Sequence, residues 1–207
     1  MTASRRGFPT LLAIPVATPA LAHGIPPDAG AADLFAAGLS APTASPVVML
    51  LLTAAGLLSA ASKGLAPWRG LAVLAVGILA GLTATAVFIP WTGWIAHLVA
   101  AALALAVAVF GSLPALVAAT AMLVAASVAA YAAFADHAGE ALPAMLQSGA
   151  LVALAAWMLG VHVLGAIVLT VAGERIGRLA LRILASWLLA VTIMMLALGY
   201  RWNLLAV

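Results

Sequence analysis

The chain has 207 residues, 67% of them hydrophobic and only 6% charged, with 8 Lys and Arg against 5 Asp and Glu. A soluble domain of this length, with about a quarter of its residues charged, would carry roughly fifty. This scarcity, with a mean hydropathy of +1.28, excludes a soluble enzyme, a nucleic-acid binder and a disordered tail, and leaves an integral membrane protein.

The pI near 10.2 reflects a net charge of only +3, and the basic residues are scattered rather than gathered on a nucleic-acid-binding stripe. Cysteine is absent, which removes disulfides, thiolate metal sites and thiol catalysis together.

Residues 1–22 read as a cleavable secretory signal peptide. Arg5 and Arg6 make the positive start, an apolar run follows from Phe8 to Leu21, and Ala20-Leu21-Ala22 supplies a small-x-small cleavage site. Pro9, Pro15 and Pro19 make this run a poor spanning helix. An uncleaved first transmembrane helix is the alternative. Residues 23–45, rich in Pro, Gly, Ala and Ser, are expected to form a short extracytoplasmic segment.

A bilayer core needs about 20 apolar residues per helix. Cutting at Gly, Pro and charged positions gives six such runs, at 46–62, 69–89, 92–111, 114–135, 144–172 and 178–200. No strand-like alternation suits a barrel. The expectation is therefore an all-α integral membrane fold, a six-transmembrane-helix bundle over 46–207. With residues 23–45 outside, the positive-inside rule is satisfied. Lys63, Arg69, Arg175, Arg178 and Arg182 then face the cytoplasm, and Arg201 the outside. The acids Asp28, Asp33, Asp136 and Glu140 fall outside, and Glu174 inside. This orientation suits a bacterial cytoplasmic (inner) membrane, with the mature N-terminus periplasmic.

Trp68, Trp91, Trp94 and Trp202 stand at expected span ends, where an indole N–H meets headgroups. Gly77 and Gly81 form a Gly-x-x-x-Gly pair, for which close packing within one molecule is favoured over a dimer face.

Ionisable groups inside a membrane are costly and are weighed as functional sites. His162 lies within the fifth run and His97 in the outer half of the third. Asp136, His137 and Glu140 form a compact acid–imidazole group in the loop after the fourth. Carboxylate oxygen with imidazole nitrogen suits Ni²⁺, Co²⁺ or Zn²⁺; a solvated loop, and a histidine hydrogen-bonded to a neighbouring helix, are the structural alternatives. His23 would begin the mature chain, where amine and imidazole together chelate copper-like ions. A heme or quinone protein would need His97 and His162 to face each other. No nucleophile elbow, phosphate loop or His-Glu-x-x-His pattern occurs, so no enzyme activity is expected. Lys63, the only lysine, lies in a loop, which excludes a retinal Schiff base.

An N-terminal signal ending before His23-Gly24, six short helices, and the stretch Phe134-Ala135-Asp136-His137-Ala138-Gly139-Glu140 together resemble the HupE/UreJ family. These are hydrogenase and urease accessory membrane proteins regarded as nickel or cobalt permeases. His162-Val163-Leu164-Gly165 fits the family's fifth helix, and Gly177-Arg178-Leu179-Ala180-Leu181-Arg182 its basic turn before the last. The resemblance implies a permease for a divalent transition metal, with His137, Glu140 and His162 at matching positions. Asp136 and His97 join them as candidate metal ligands by their place in the outer cluster and the outer half of the third run. It breaks at the family's signature, Gly-Leu-x-His-Pro-x-x-Gly-x-Asp-His. Gly38, Leu39 and Pro42 are in place, but Ala41 replaces the first His, Ser45 the Gly, Val47 the Asp and Val48 the second His. That loss implies an alternative, a transport-inactive accessory or structural subunit with a membrane or metalloenzyme-maturation partner.

Overall fold

The computed structural model describes residues 29–62, 67–87, 89 and 92–202. The expected signal peptide, His23, Asp28, Lys63 and Trp91 lie outside the described residues. Among those described there are seven α-helices and no strand. The helices are α1 (Ala31–Ala44), α2 (Pro46–Ala61), α3 (Pro67–Ala84), α4 (Thr92–Phe110), α5 (Ala115–Ala132), α6 (Ala144–Val171) and α7 (Gly173–Trp202).

Each of the six apolar runs corresponds to one helix, with α3 ending at Ala84 and α5 at Ala132, short of the expected ends. Proline sets several starts. Pro46 and Pro67 are the first residues of α2 and α3, and Pro114 and Pro143 cap α5 and α6. At these positions the missing N–H costs nothing and the fixed φ favours the first turn. Glycine sets two of the ends. Gly111 follows α4 at φ +71° and Gly173 separates α6 from α7 at φ +77°, a left-handed conformation that lets the chain turn off a helix end.

Four helices, α4 to α7, are long and apolar enough to cross a membrane, and the count rises to five if α1 and α2 act as one bent pair. These two meet at 80° across Ser45. The apolar part of α3, Arg69–Ala84, is shorter.

The helix α1 is the element the sequence reading left without secondary structure. Asp33 in its first turn accepts a hydrogen bond from the Gly30 N–H at 3.3 Å, satisfying one of the donors a helix start leaves open. Pro42, one turn from the far end, removes an N–H and hastens the stop. Along its length α1 lies on α6. The approach is close because Gly38 and Gly149 face each other's backbones: a Cβ on Gly38 would overlap the Leu146 carbonyl, and one on Gly149 the Phe35 carbonyl.

At the centre stands α2, packed on α4, α5, α6 and α7. Val48, Leu51, Leu52, Ala54, Ala55, Leu57, Leu58 and Ala61 are all buried, and a helix apolar all round is suited to such a position. The outer faces of α3 to α7 carry exposed aliphatic side chains such as Leu105, Val117, Leu164 and Ile193, the surface an acyl-chain solvent requires. Gly77 and Gly81 are absorbed inside the molecule, Gly77 against Leu123 and Ala126, Gly81 against Ser127 and Ala130 of α5.

Candidate functional site

The expected ligands fall in three separate places. Among the described residues, no three His, Asp or Glu side chains come close enough to hold a metal ion together.

The first place is the α5–α6 loop. Residues Ala135–His137 form a 3-10 turn, pinned from inside by the buried side chains of Phe134 and Leu142. That turn brings His137 Nδ1 to 3.4 Å from Glu140 Oε2, with the side chains 30% and 70% exposed. Asp136 is exposed beside them and joins no ion pair in this loop. The loop is tied to the α3 end by the Gly139 N–H, which donates to the Thr85 carbonyl at 2.7 Å. Tyr131 reinforces the same corner. Its hydroxyl accepts from the Ile89 N–H at 2.7 Å and donates to the Val87 carbonyl at 3.0 Å.

The second place is His97 on α4, 4% exposed. Its Nδ1 is 2.7 Å from the Gly93 carbonyl, and since a carbonyl only accepts, Nδ1 carries the hydrogen. In the neutral ring Nε2 is then a bare lone pair. It is buried and has no hydrogen-bond partner among the described residues. Buried polar atoms are nearly always paired, and among the described side chains only this nitrogen and Ser62 Oγ are not.

His162 on α6 occupies the third. Its Nδ1 lies 3.0 Å from Ser59 Oγ on α2, so the ring is held by the neighbouring helix. One and a half turns away, the Trp157 indole N–H donates to Thr53 Oγ1 at 3.1 Å, and Thr53 donates to the Met49 carbonyl at 2.7 Å. The α2–α6 seam therefore carries two polar bridges. Between them Gly56 admits Val161 and Met158. Thr53 lies 104 residues from Trp157, so sequence spacing carries no sign of this hydroxyl partner.

The resemblance's signature positions are also located. Gly38 serves helix contact, Pro42 is buried, and Val48 is fully buried in the core. Ala41 and Val47 pack against that core as partly buried residues. Aliphatic side chains thus fill the positions where the signature would place polar ones.

No family model, curated protein or solved structure matches the chain.

Proposed function

We propose that the chain is a six-span membrane permease for a divalent transition metal, nickel or cobalt, of HupE/UreJ type, lying in a bacterial inner membrane with its N-terminal segment outside. On this reading α1 and α2 count as one span and α3 as another. The observation that carries the reading is His97. An imidazole oriented by its own helix, with a bare buried Nε2, suits a transient ligand better than a storage site. Ions would be gathered at the loop by His137, Glu140 and Asp136. They would then meet His97 in the outer half of the bundle and His162 in the inner half. Few ligands at each stop favour release, which transport requires and tight binding opposes.

The test is nickel and cobalt accumulation in cells expressing the chain. Uptake above vector, lowered in His97→Ala, is the expected result. Equal uptake in wild type, variant and vector defeats the reading.

One observation favours a second reading, an accessory or structural subunit that does not transport. Val48, Ala41 and Val47 fill with methyl groups the places where the family's ligands would stand, and the three histidine sites stay apart. Such a subunit would bring a stoichiometric partner, for instance a metalloenzyme-maturation protein, through purification in mild detergent. A permease would purify alone.

A further inference from the structure

The first ten residues of α7 carry Glu174, Arg175, Arg178 and Arg182, and residues 183–200 carry no charge. The helix has 30 residues, about 45 Å at the usual rise, against a hydrocarbon core of about 30 Å. The excess is about ten residues long, so the charged turns stand at headgroup depth when the apolar part fills the core.

These turns divide into three faces. At about 100° per residue, Gly177, Leu181 and Ala185 share one arc; all three are buried, and Gly177 lies against Val168 and Leu169 of α6. Arg175, Arg178 and Arg182 occupy the next arc, about 60° wide. Ile176, Leu179 and Ile183 occupy the one after, and each is more than half exposed.

The arginines are only partly satisfied. Arg178 reaches Glu174 at 3.0 Å. Arg182 donates from Nε to the Ala108 carbonyl at the end of α4, at 2.7 Å, which leaves its terminal nitrogens for another acceptor. Arg175 is exposed and has no hydrogen bond or ion pair among the described residues. Among the described residues, three guanidinium groups thus share this face with one carboxylate, Glu174. Guanidinium forks match phosphate oxygens bidentately.

We propose that the Arg175, Arg178 and Arg182 face of α7 binds the headgroup of an anionic phospholipid, whose acyl chains lie along Ile176, Leu179 and Ile183. Cationic arc and aliphatic arc lie side by side, in the order in which a lipid presents phosphate and hydrocarbon. The corner between α7 and the end of α4 gives the headgroup a wall. This site does not depend on transport.

The test uses the full chain in vesicles of phosphatidylcholine, with and without phosphatidylglycerol. The readouts are the thermal unfolding midpoint and the phosphatidylglycerol retained per protein by native mass spectrometry. Phosphatidylglycerol should raise the wild-type midpoint. The pair Arg175→Gln with Arg182→Gln should bind it roughly 30-fold more weakly, since each basic side chain near the surface contributes comparably. Arg175→Gln alone, which loses no hydrogen bond or ion pair among the described residues, should weaken it about fivefold. Arg201→Gln removes the same charge near the other end of α7 and should retain the lipid. Three results overturn the proposal: equal lipid retention in wild type and the double variant, equal loss in Arg201→Gln, or the same midpoint rise from millimolar inorganic phosphate in phosphatidylcholine vesicles.

Discussion

Replacing Gly149 by alanine tests whether α1 is held by backbone-to-backbone contact with α6. A Cβ at Gly149 would overlap the Phe35 carbonyl and stand 3.0 Å from the Leu39 nitrogen and 3.1 Å from the Gly38 Cα, where ordinary contact begins at 3.4 Å. All three neighbours are backbone, so no side chain can swing away and α1 itself must move. Overpacking of this kind costs about 1–3 kcal/mol, and the upper end applies where only a helix can yield. Alanine returns about 1 kcal/mol in helix propensity. The net loss of about 2 kcal/mol falls on α1, because α6 is its main partner. Hydrogen exchange over 31–44 should then accelerate roughly 30-fold, with α4 and α5 unchanged. Gly160→Ala is the control. It sits on the same helix with nothing within 4 Å of the added methyl, so propensity alone acts and exchange should be unchanged or slower. If Gly149→Ala leaves α1 as protected as Gly160→Ala does, close backbone contact is not what holds α1.

Five other substitutions probe the polar bridges and one helix end. Thr53→Val leaves the Trp157 N–H without its acceptor and should lower stability by about 0.6 kcal/mol, the mean for such bonds within membranes, read as a fall in the unfolding midpoint. For the Ser59–His162 pair, a double-mutant cycle with Ser59→Ala and His162→Leu should give a coupling of similar size; a coupling of zero would mean the 3.0 Å contact contributes nothing. Tyr131→Phe strands both the Ile89 N–H and the Val87 carbonyl at a cost of about 1–3 kcal/mol, and limited proteolysis should reach residues 85–91 faster. Gly111→Ala forces a methyl into a left-handed conformation at φ +71°, costing about 1 kcal/mol, visible in the unfolding midpoint.

Hydropathy made the long helices legible because lipid-facing and core-facing positions are apolar alike, so the runs from 92 to 200 stand out without any periodicity. Pro46, Pro114 and Pro143 marked where helices begin, whereas α3 begins at Pro67, two residues before the expected run. The helix α1 was hidden for the same reason. Its Ala, Gly, Ser and Pro content reads as loop, yet Gly38, facing Gly149, is what lets it lie close on α6. Asp33 three residues after Gly30 was its visible signal, a carboxylate at the place where a helix start has donors to satisfy.

At the candidate site, sequence placed His97 and His162 within helices, but their partners are non-local. Ser59 lies 103 residues from His162, and spacing carries no trace of such a pair. The bare Nε2 of His97 depends on which carbonyl takes the other nitrogen, a matter of rotamer rather than sequence. Histidine and carboxylate proximity in the loop, in contrast, was legible, since three residues separate His137 from Glu140.

The central place of α2 has a temporal consequence. Ribosomes deliver the chain from its N-terminus at about 5–20 residues per second. Thr53 and Ser59 therefore wait for Trp157 and His162, 104 and 103 residues later, roughly 5–20 s. Although α4 and α5 arrive sooner, the side of α2 that meets α6 stays uncovered throughout that interval. The Thr53 hydroxyl turned back on the Met49 carbonyl is what lets it wait in lipid, since a polar side chain bonded to its own helix needs no neighbour. Chains halted before α6 should hold α2 and leave α1 open to protease, so the first described helix waits for the sixth to secure it.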